Sequence, residues 1–233
     1  SFGSWERTVQ VSENNGHSPL LLECPGLFRC KMGQCLHPRF LCDGIVHCPK
    51  FQDDEFDCEI MECPTQCLCL GKSVFCLSTT IQAVPEVSSD TLSLDIRHNQ
   101  NMIGVDNLCY RINRIIKIDI SFNMIGNMSL GNCSTLFHLE FLSVAFNKIA
   151  NIEKLSNCLN LDILNISHNQ VFAIDSYAFE DMDKLRILDL SFNYIQNIRS
   201  SFFGQMKSLY TFDISSNPLH QVNADMFNFF SHI

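Results

Sequence analysis

No apolar run in this sequence approaches the roughly 20 residues that a membrane-spanning helix requires. The first 23 residues also lack a basic segment followed by an apolar core, which is the pattern of an export signal. We therefore expect a chain that does not itself cross a membrane, and whose export signal has been removed or lies outside this sequence. Segment 1–23 has neither the period of a strand nor that of a helix, and we interpret it as a flexible tail.

Basic residues are also scarce. There are 16 of them against 25 acidic residues, and the net charge is −9. An acidic surface disfavours nucleic acid and anionic membranes and favours cationic partners. Catalytic motifs are missing as well, because the sequence has no G-x-S-x-G, no H-E-x-x-H and no glycine loop of the phosphate-binding type. We interpret the protein as one that is not an enzyme and does not bind nucleic acid.

Cysteine, in contrast, is abundant. The chain has 13 cysteines, and ten of them lie between Cys24 and Cys76 in a segment with little apolar material. Such clustering predicts disulfides and an oxidising, extracellular location. Three N-x-S/T sequons agree with secretion and predict glycosylation at Asn127, Asn132 and Asn165.

The C-terminal part of the chain repeats a nine-residue phrase of the form L-x-x-L-x-L-x-x-N. The clearest copies are LDILNISHN, LRILDLSFN and LYTFDISSN, at 161–169, 185–193 and 209–217. Weaker copies begin at Thr91, Ile115 and Leu139. This phrase is the signature of a leucine-rich repeat, in which each copy forms a short strand and a return segment. We predict an α/β fold, a leucine-rich-repeat solenoid with a curved parallel sheet and six repeats over 91–233. A seventh repeat would begin at Ile233, so we expect a longer natural protein.

Within each repeat, phrase positions 4 and 6 are predicted to point into the core, and the asparagine at position 9 to pair with turn backbone. Three further cysteines, Cys109, Cys133 and Cys158, fall in apolar slots of the return segments. We interpret them as buried thiols. A bridge between Cys109 and Cys133 is an open alternative, since they occupy the same slot in adjacent coils.

Six cysteines between Cys24 and Cys58 lie in a stretch that ends CDGIVHCPKFQDDEFDC. So short a segment cannot build an apolar core and needs disulfides, whose connectivity the spacing alone leaves open. The stretch resembles a low-density-lipoprotein-receptor class A module. The resemblance implies the pairs Cys24–Cys35, Cys30–Cys48 and Cys42–Cys58.

The same resemblance implies one bound calcium ion. Its carboxylate ligands would be Asp43, Asp54 and Glu55. Asp53 is an alternative to Asp54, because the segment after Cys48 is one residue longer than in the family. His47 replaces a further carboxylate of the family, so we expect a weakened site. The alternative is that these acidic side chains only make a surface loop soluble and bind no ion.

Four cysteines then follow with the spacing C-x3-C-x-C-x6-C, from Cys63 to Cys76. The spacing resembles the N-terminal cap of extracellular leucine-rich repeats, and this implies the pairs Cys63–Cys69 and Cys67–Cys76. A zinc site of four thiolates is the alternative, although it suits an intracellular protein better. The predicted domains are a tail (1–23), a class A module (24–58), a cysteine cap (63–90) and the repeats (91–233).

Phrase position 5 is predicted to line the concave face of the sheet. It carries four carboxylates, Asp95, Asp119, Asp189 and Asp213. Like charges one strand apart repel, and a cationic ligand would relieve the repulsion. The apolar side chains beside them suit a basic peptide with hydrophobic residues. The alternative is that these aspartates bind nothing, since aspartate is common at this position. A glycan on Asn165 would obstruct this face.

The order of module, cap and repeats resembles the ectodomain of relaxin-receptor-type (type C) leucine-rich-repeat G-protein-coupled receptors and a related snail receptor. The cap sequence ECPTQCLC carries the closest local match. The resemblance implies a peptide-hormone receptor at the extracellular face of the plasma membrane. In it the four aspartates bind a basic hormone, and regions absent from this chain engage a G protein. The tether 59–62 is shorter than in those receptors. The alternative is a secreted or surface-anchored adhesion or matrix protein that binds other proteins.

Overall fold

The computed structural model describes residues 28–37, 40–55, 58, 63–77, 80–105, 108, 112, 114–127, 136–155, 158–198 and 206–220. Twelve strands are defined within these ranges. They are β1 (Phe28–Arg29), β2 (Cys35–Leu36), β3 (Leu68–Leu70), β4 (Ser73–Phe75), β5 (Ser93–Asp95), β6 (Lys117–Asp119), β7 (Phe141–Ser143), β8 (Asn151–Ile152), β9 (Ile163–Asn165), β10 (Ala173–Ile174), β11 (Ile187–Asp189) and β12 (Thr211–Asp213). The predicted tail, Cys24, Asn132, Cys109, Cys133 and the tether lie outside the described residues.

Eight of these strands form one sheet in the order β12-β11-β9-β7-β6-β5-β4-β3. All neighbours from β4 to β12 are parallel, and only β3 and β4 pair antiparallel. Each parallel pair aligns equal phrase positions, as where Ile118 of β6 faces Leu142 of β7. This is the stacked parallel sheet of a leucine-rich-repeat solenoid, and the predicted fold is confirmed.

Phrase positions 4 and 6 face the core, because alternate side chains of a strand point to opposite sides. In the first five coils these ten aliphatic side chains are at most 1% exposed. Burying one such side chain contributes about 1.5–3 kcal/mol. The return segments add buried residues at their apolar slots, among them Phe179, Met182 and Cys158. No single coil could bury these side chains alone, so stacking stabilises the sheet.

The position 9 asparagines connect neighbouring coils through buried hydrogen bonds. The amide of Asn147 donates to Val144 O and Ala145 O of its own coil and to Ile120 O of the preceding coil. Its Oδ1 accepts the backbone N–H of Ile125 at 3.0 Å. The same pattern recurs at Asn169, Asn193 and Asn217. Asn123 makes the same amide bonds, but its Oδ1 accepts the backbone N–H of Asn99. These bonds pair the backbone groups that the chain would otherwise bury unpaired as it leaves each strand.

Four disulfides are described, two in the module and two in the cap. They are Cys30–Cys48, Cys42–Cys58, Cys63–Cys69 and Cys67–Cys76. These pairs agree with those that the two resemblances implied. Cys35 is also disulfide-bonded, and its predicted partner Cys24 lies outside the described residues. The cap hairpin β3–β4 lies at one end of the parallel sheet and places Val74 in the common core.

The N-terminal module forms a second, small core of Cys30, Leu36, Leu41 and Cys48. Leu92, which directly precedes β5 of the solenoid, packs against this core. The module is therefore in contact with the first repeat. Within the described ranges, the protein has no helix with the length and apolar character needed to cross a membrane.

Candidate binding surface on the outer face of the sheet

The face of the parallel sheet that points away from the core is formed by phrase positions 3, 5 and 7, and we call it the outer face. Position 5 forms one column along it, because the strands stack in register. Asp95 lies opposite Asp119, and Asp189 opposite Asp213. Between these pairs the column contains Ser143 and Asn165. The predicted column of four carboxylates is thus present, interrupted by two neutral residues.

Each of these aspartates has a structural role in its own turn. Oδ1 of Asp189 accepts the backbone N–H of Ser191 at 2.9 Å and its hydroxyl at 2.7 Å. Oδ1 of Asp95, Asp119 and Asp213 likewise accepts the backbone N–H of the residue two positions further on. Asn165 makes the same two bonds to Ser167 with its amide oxygen. The turn therefore requires an oxygen at position 5 but does not require its negative charge.

The N-terminal acidic pair is neutralised from within the protein. Arg97 donates to both carboxylate oxygens of Asp95 at 2.7–3.0 Å. Its Nε also lies 3.7 Å from Oδ2 of Asp119. The hydrogen bond from Arg97 to Asp95 raises the pKa of the guanidinium, and the charge of Asp119 adds to this. With both carboxylates buried, this pair offers little to an external cation.

The C-terminal acidic pair differs. Asp189 is half-buried and Asp213 is exposed, and in the described part of the chain neither forms an ion pair with a basic side chain. Hydrogen bonds from the hydroxyl and the backbone N–H of Ser215 lower the pKa of Asp213. Asp213 therefore stays ionised at neutral pH. This pair is the part of the column that is open to a cationic ligand.

A stack of aromatic rings runs along the border of the outer face at phrase position 8. Its members are His98, Phe122, Phe146, His168 and Phe192. Successive ring centroids are 4.5, 4.2, 4.0 and 4.1 Å apart, with interplanar angles of at most 22°. All five residues have φ between 53° and 61°, so the left-handed turn at the end of each strand aims the rings in one direction.

The stacking limits what the rings can contact. Inner ring faces are covered by their neighbours, so Phe122 and Phe146 present mainly their edges and are 39% and 41% exposed. Phe192 ends the stack, because the next coil has Ser216 at this position. Its outer ring face and the apolar position 3 residues Ile163 and Ile187 lie on the C-terminal half of the outer face. Apolar surface and unpaired carboxylates thus occur together there.

The sequon residues are placed differently by the fold. Asn127 is exposed. Asn165 is half-buried in the position 5 column, and its amide oxygen accepts the hydroxyl of Ser167, the third residue of its sequon. Glycosylation at Asn127, Asn132 and Asn165 stays a prediction.

The proposed calcium ligands lie near one another in the module. Glu55 accepts the backbone N–H of Asp43 at 2.9 Å and that of Gly44 at 3.1 Å. Asp54 accepts the backbone N–H of His47, while its buried Oδ1 has no hydrogen-bond partner among the described residues. That orphaned oxygen fits a cation.

His47 opposes this fit, since its Nε2 lies 3.1 Å from Oδ2 of Asp43. In the described residues no three His, Cys, Asp or Glu side chains are grouped to hold a metal. Calcium binding by Asp43, Asp54 and Glu55 therefore stays a prediction. His47, which replaces a carboxylate of the family, weakens the fit of the site to calcium.

Comparison with known families matches the leucine-rich repeat at residues 138–193, 159–219 and 183–233. Among curated proteins, mimecan of Gallus gallus is 33% identical over 122 residues, covering 51% of this chain and 40% of mimecan. Epiphycan of Gallus gallus is 28% identical over 122 residues, covering 52% and 38%. Human mimecan is 28% identical over 139 residues, covering 59% and 44%. The chain therefore spans about two fifths of the length of these relatives.

Solved structures support the same fold. A TLR13–ssRNA13 complex matches with a TM-score of 0.60 and 21% identity, covering 70% of this chain and 24% of that one. The Drosophila Toll–Spatzle complex matches with a TM-score of 0.52 and 25% identity, covering 57% and 20%. Both likenesses show the fold and nothing further about activity.

These comparisons contradict the receptor interpretation. Mimecan and epiphycan are small leucine-rich proteoglycans of the extracellular matrix, and none of these relatives points to a G-protein-coupled receptor ectodomain or a class A module. The assignment to the relaxin-receptor type was therefore wrong, and these comparisons give no support for its hormone, its G protein or a location at the plasma membrane. It depended on cysteine spacings, which constrain disulfide pairing in a short segment but not the function of the whole protein. The comparisons show a leucine-rich-repeat solenoid whose curated relatives are matrix proteins.

Proposed function

We propose that the protein is a secreted or surface-anchored leucine-rich-repeat protein that binds another protein outside the cell, in the manner of an adhesion or matrix protein. The similarity to mimecan and epiphycan supports this role. The disulfides of the module and cap support an oxidising compartment. Absence of catalysis stays a prediction from the missing motifs.

The observation that carries the proposal is the carboxylate pair Asp189 and Asp213, which has no ion-pair partner among the described residues and lies beside partly exposed apolar side chains. A position 5 side chain needs one oxygen for its turn, and Asn165 shows that an amide supplies it. The negative charges at 189 and 213 are therefore not required by the turn. They repel each other across one strand spacing, and a bound cation removes that repulsion.

The partner that fits this surface is a protein segment with arginine and apolar side chains. A guanidinium pairs with carboxylates through two parallel hydrogen bonds. The adjacent Ile163 and Ile187 and the outer ring face of Phe192 supply apolar contact, and central apolar residues carry most of the energy of protein interfaces. Asp95 and Asp119 belonged to the same predicted site, but Arg97 already occupies them. We place the ligand at the C-terminal half of the outer face.

The test is binding of a labelled peptide of alternating arginine and leucine to the full chain, measured by fluorescence anisotropy. We expect saturable binding that weakens with added salt, because exposed charge pairs are screened. A peptide in which glutamate replaces every arginine serves as the control and should not bind. Equal binding of both peptides, or binding of neither, would contradict the proposal.

A further inference from the structure

The N-terminal module contacts the solenoid at two members of one column of residues, Leu92 and Glu140. Each residue of this column directly precedes a strand of the parallel sheet, and we call it the strand-entry column. It consists of Leu92, Ile116, Glu140, Asp162, Arg186 and Tyr210. Backbone N–H groups of the column donate to the carbonyl of the previous member at 2.8–2.9 Å. These bonds keep the side chains of successive coils in line.

The first contact of the module with this column is apolar. Leu92 packs against the module core formed by Cys30, Leu36, Leu41 and Cys48. A residue of the first repeat thus contributes to the apolar core of a different domain. Apolar area removed from water on both sides stabilises the docked arrangement.

The second contact lies two coils further along and is made by histidines. Nε2 of His37 is 3.4 Å from Oε1 of Glu140. The ring of His37 also meets the ring of His138 edge to face, with centroids 5.7 Å apart and planes at 88°. His138 is 7% exposed, and its Nε2 has no hydrogen-bond partner among the described residues. A buried imidazole without a partner for this nitrogen is poorly suited to carry a charge.

Charged groups surround His138 unevenly. Arg114 raises the local positive potential, although it is itself paired with Asp90 at 2.6 Å. His37 becomes a second cation when it is protonated, and Glu140 offers one compensating carboxylate. Burial first, and then the charge of Arg114, lower the pKa of His138. The docked arrangement therefore favours a neutral His138.

We propose that His37, His138 and Glu140 form a pH-sensitive latch, which holds the N-terminal module on the strand-entry column at neutral pH and releases it when His138 is protonated. Separation of the module removes the ring of His37 from that of His138 and gives the imidazole access to water. The released state then binds a proton more readily than the docked state.

The direction of the pH effect follows from this difference in proton binding. An uncovered histidine has an ordinary pKa of about 6.5. The docked state is fully favoured above that pH and loses stability as the pH falls below it, because the released state binds more protons. Protonation of His37 acts in the opposite sense, because the charged imidazole attracts the carboxylate of Glu140 and stabilises the docked state. Both side chains of that pair are about 30% exposed, at 30% and 27%, so its contribution is small.

Hydroxyl-radical footprinting of side chains in the full chain at pH 7.5 and pH 5.0 tests the latch, because the backbone amides at the contact are hydrogen-bonded within the solenoid or within the module. We expect oxidation of the side chains of Leu92 and His138 to rise, approaching tenfold per pH unit below about 6.5, the slope for one linked proton. Oxidation of Leu164 and Leu188 should stay constant, which would show that the repeats remain folded. Unchanged oxidation at the contact, or an equal rise throughout the solenoid, would overturn the proposal.

Two variants separate the latch from a general effect of acid. His138→Leu cannot take up the proton, and its contact should stay protected at pH 5.0. Glu140→Gln removes only the partly exposed pair with His37, so it should change the release pH little and keep the pH dependence. If His138→Leu lost protection with acid as the unmodified chain does, or Glu140→Gln abolished the pH dependence, the latch would be refuted.

Discussion

At the scale of single residues, the position 9 asparagines show how one side chain fixes the geometry of two coils. The phrase predicted that these residues satisfy turn backbone, and the hydrogen bonds of Asn147 to its own and the preceding coil confirm this. A glutamine or leucine cannot replace the group, because the bonds depend on an amide one methylene from the backbone. The sequence could predict this role since every repeat places the asparagine at the same position.

Replacing Asn147 by alanine should lower the free energy of unfolding by about 1–3 kcal/mol. The change leaves the buried N–H of Ile125 without its partner, and such an orphan costs about 1–3 kcal/mol, whereas the carbonyl of Ile120 keeps its bond from Asn123. Urea denaturation measures the effect. Asn127→Ala, at an exposed position, is the matched control and should change stability by less than about 0.5 kcal/mol. Similar values for both variants would contradict the role of the buried asparagines.

Cys158 is a second residue whose setting the repeat register predicted. It is a free thiol, 1% exposed, in a return slot of the core. Burial raises the pKa of its thiol to about 11, so almost no thiolate exists at pH 8. We expect iodoacetamide to label Cys158 at pH 8 only after unfolding in guanidinium, as measured by mass spectrometry of the Cys158 peptide. Complete labelling of the native protein within minutes would be inconsistent with a buried thiol.

At the scale of the elements, the strands and their register were predictable, whereas the contacts between side chains of different coils were not. The phrase places Arg97 at position 7, where four of the other five repeats carry serine, but it does not predict that the guanidinium pairs with Asp95 and Asp119. The aromatic residues at position 8 were recognisable as a series. Their stacking depends on a left-handed turn at each of them, which non-glycine residues seldom adopt.

The ring stack should contribute to stability through its inner members. Phe146 stacks on Phe122 and His168 at 4.2 and 4.0 Å. Phe146→Ala removes both contacts and should cost about 1–3 kcal/mol, at about 0.5–1.5 kcal/mol per aromatic pair. Phe172→Ala provides the control, because Phe172 is 63% exposed and outside the stack. Equal midpoints of the two variants in urea would show that the stack adds nothing.

The calcium prediction also belongs to one element, the loop from Asp43 to Glu55. His47→Asp replaces the imidazole that contacts Asp43 by a carboxylate, and should strengthen calcium binding relative to the unmodified protein. Asp54→Asn should abolish binding, because it removes the charge of the carboxylate with the orphaned oxygen. Isothermal titration of the full chain measures both. A His47→Asp protein without saturable heat at millimolar calcium would exclude the site.

At the scale of the whole molecule, the fold followed from the sequence and the function did not. The period of a repeated phrase is visible in the sequence itself. The solenoid could therefore be predicted from the clear copies between Leu161 and Asn217 and then extended to the weaker copies before them. The order of modules suggested a receptor, and the similarity to mimecan and epiphycan contradicts it. Docking of the module on Leu92 and Glu140 was not predictable either, because it joins residues that are distant in sequence through exposed surfaces.

The whole surface carries a net charge of −9, so a basic ligand is attracted to it without any specific site. A variant that removes negative charge at the outer face must therefore be compared with a control variant that removes the same amount of charge elsewhere on the surface. Asparagine is the suitable replacement at position 5, because Asn165 already makes the turn hydrogen bonds there.

The most direct measurement is the affinity of the arginine–leucine peptide for two double variants of equal charge. Asp189→Asn with Asp213→Asn removes the unpaired carboxylates, and Glu153→Gln with Asp181→Asn removes two exposed charges outside the parallel sheet. We predict that the first weakens binding at least about tenfold, equivalent to about 1.4 kcal/mol, and that the second has little effect. An equal change in both variants would mean that the outer face of the sheet does not bind the ligand.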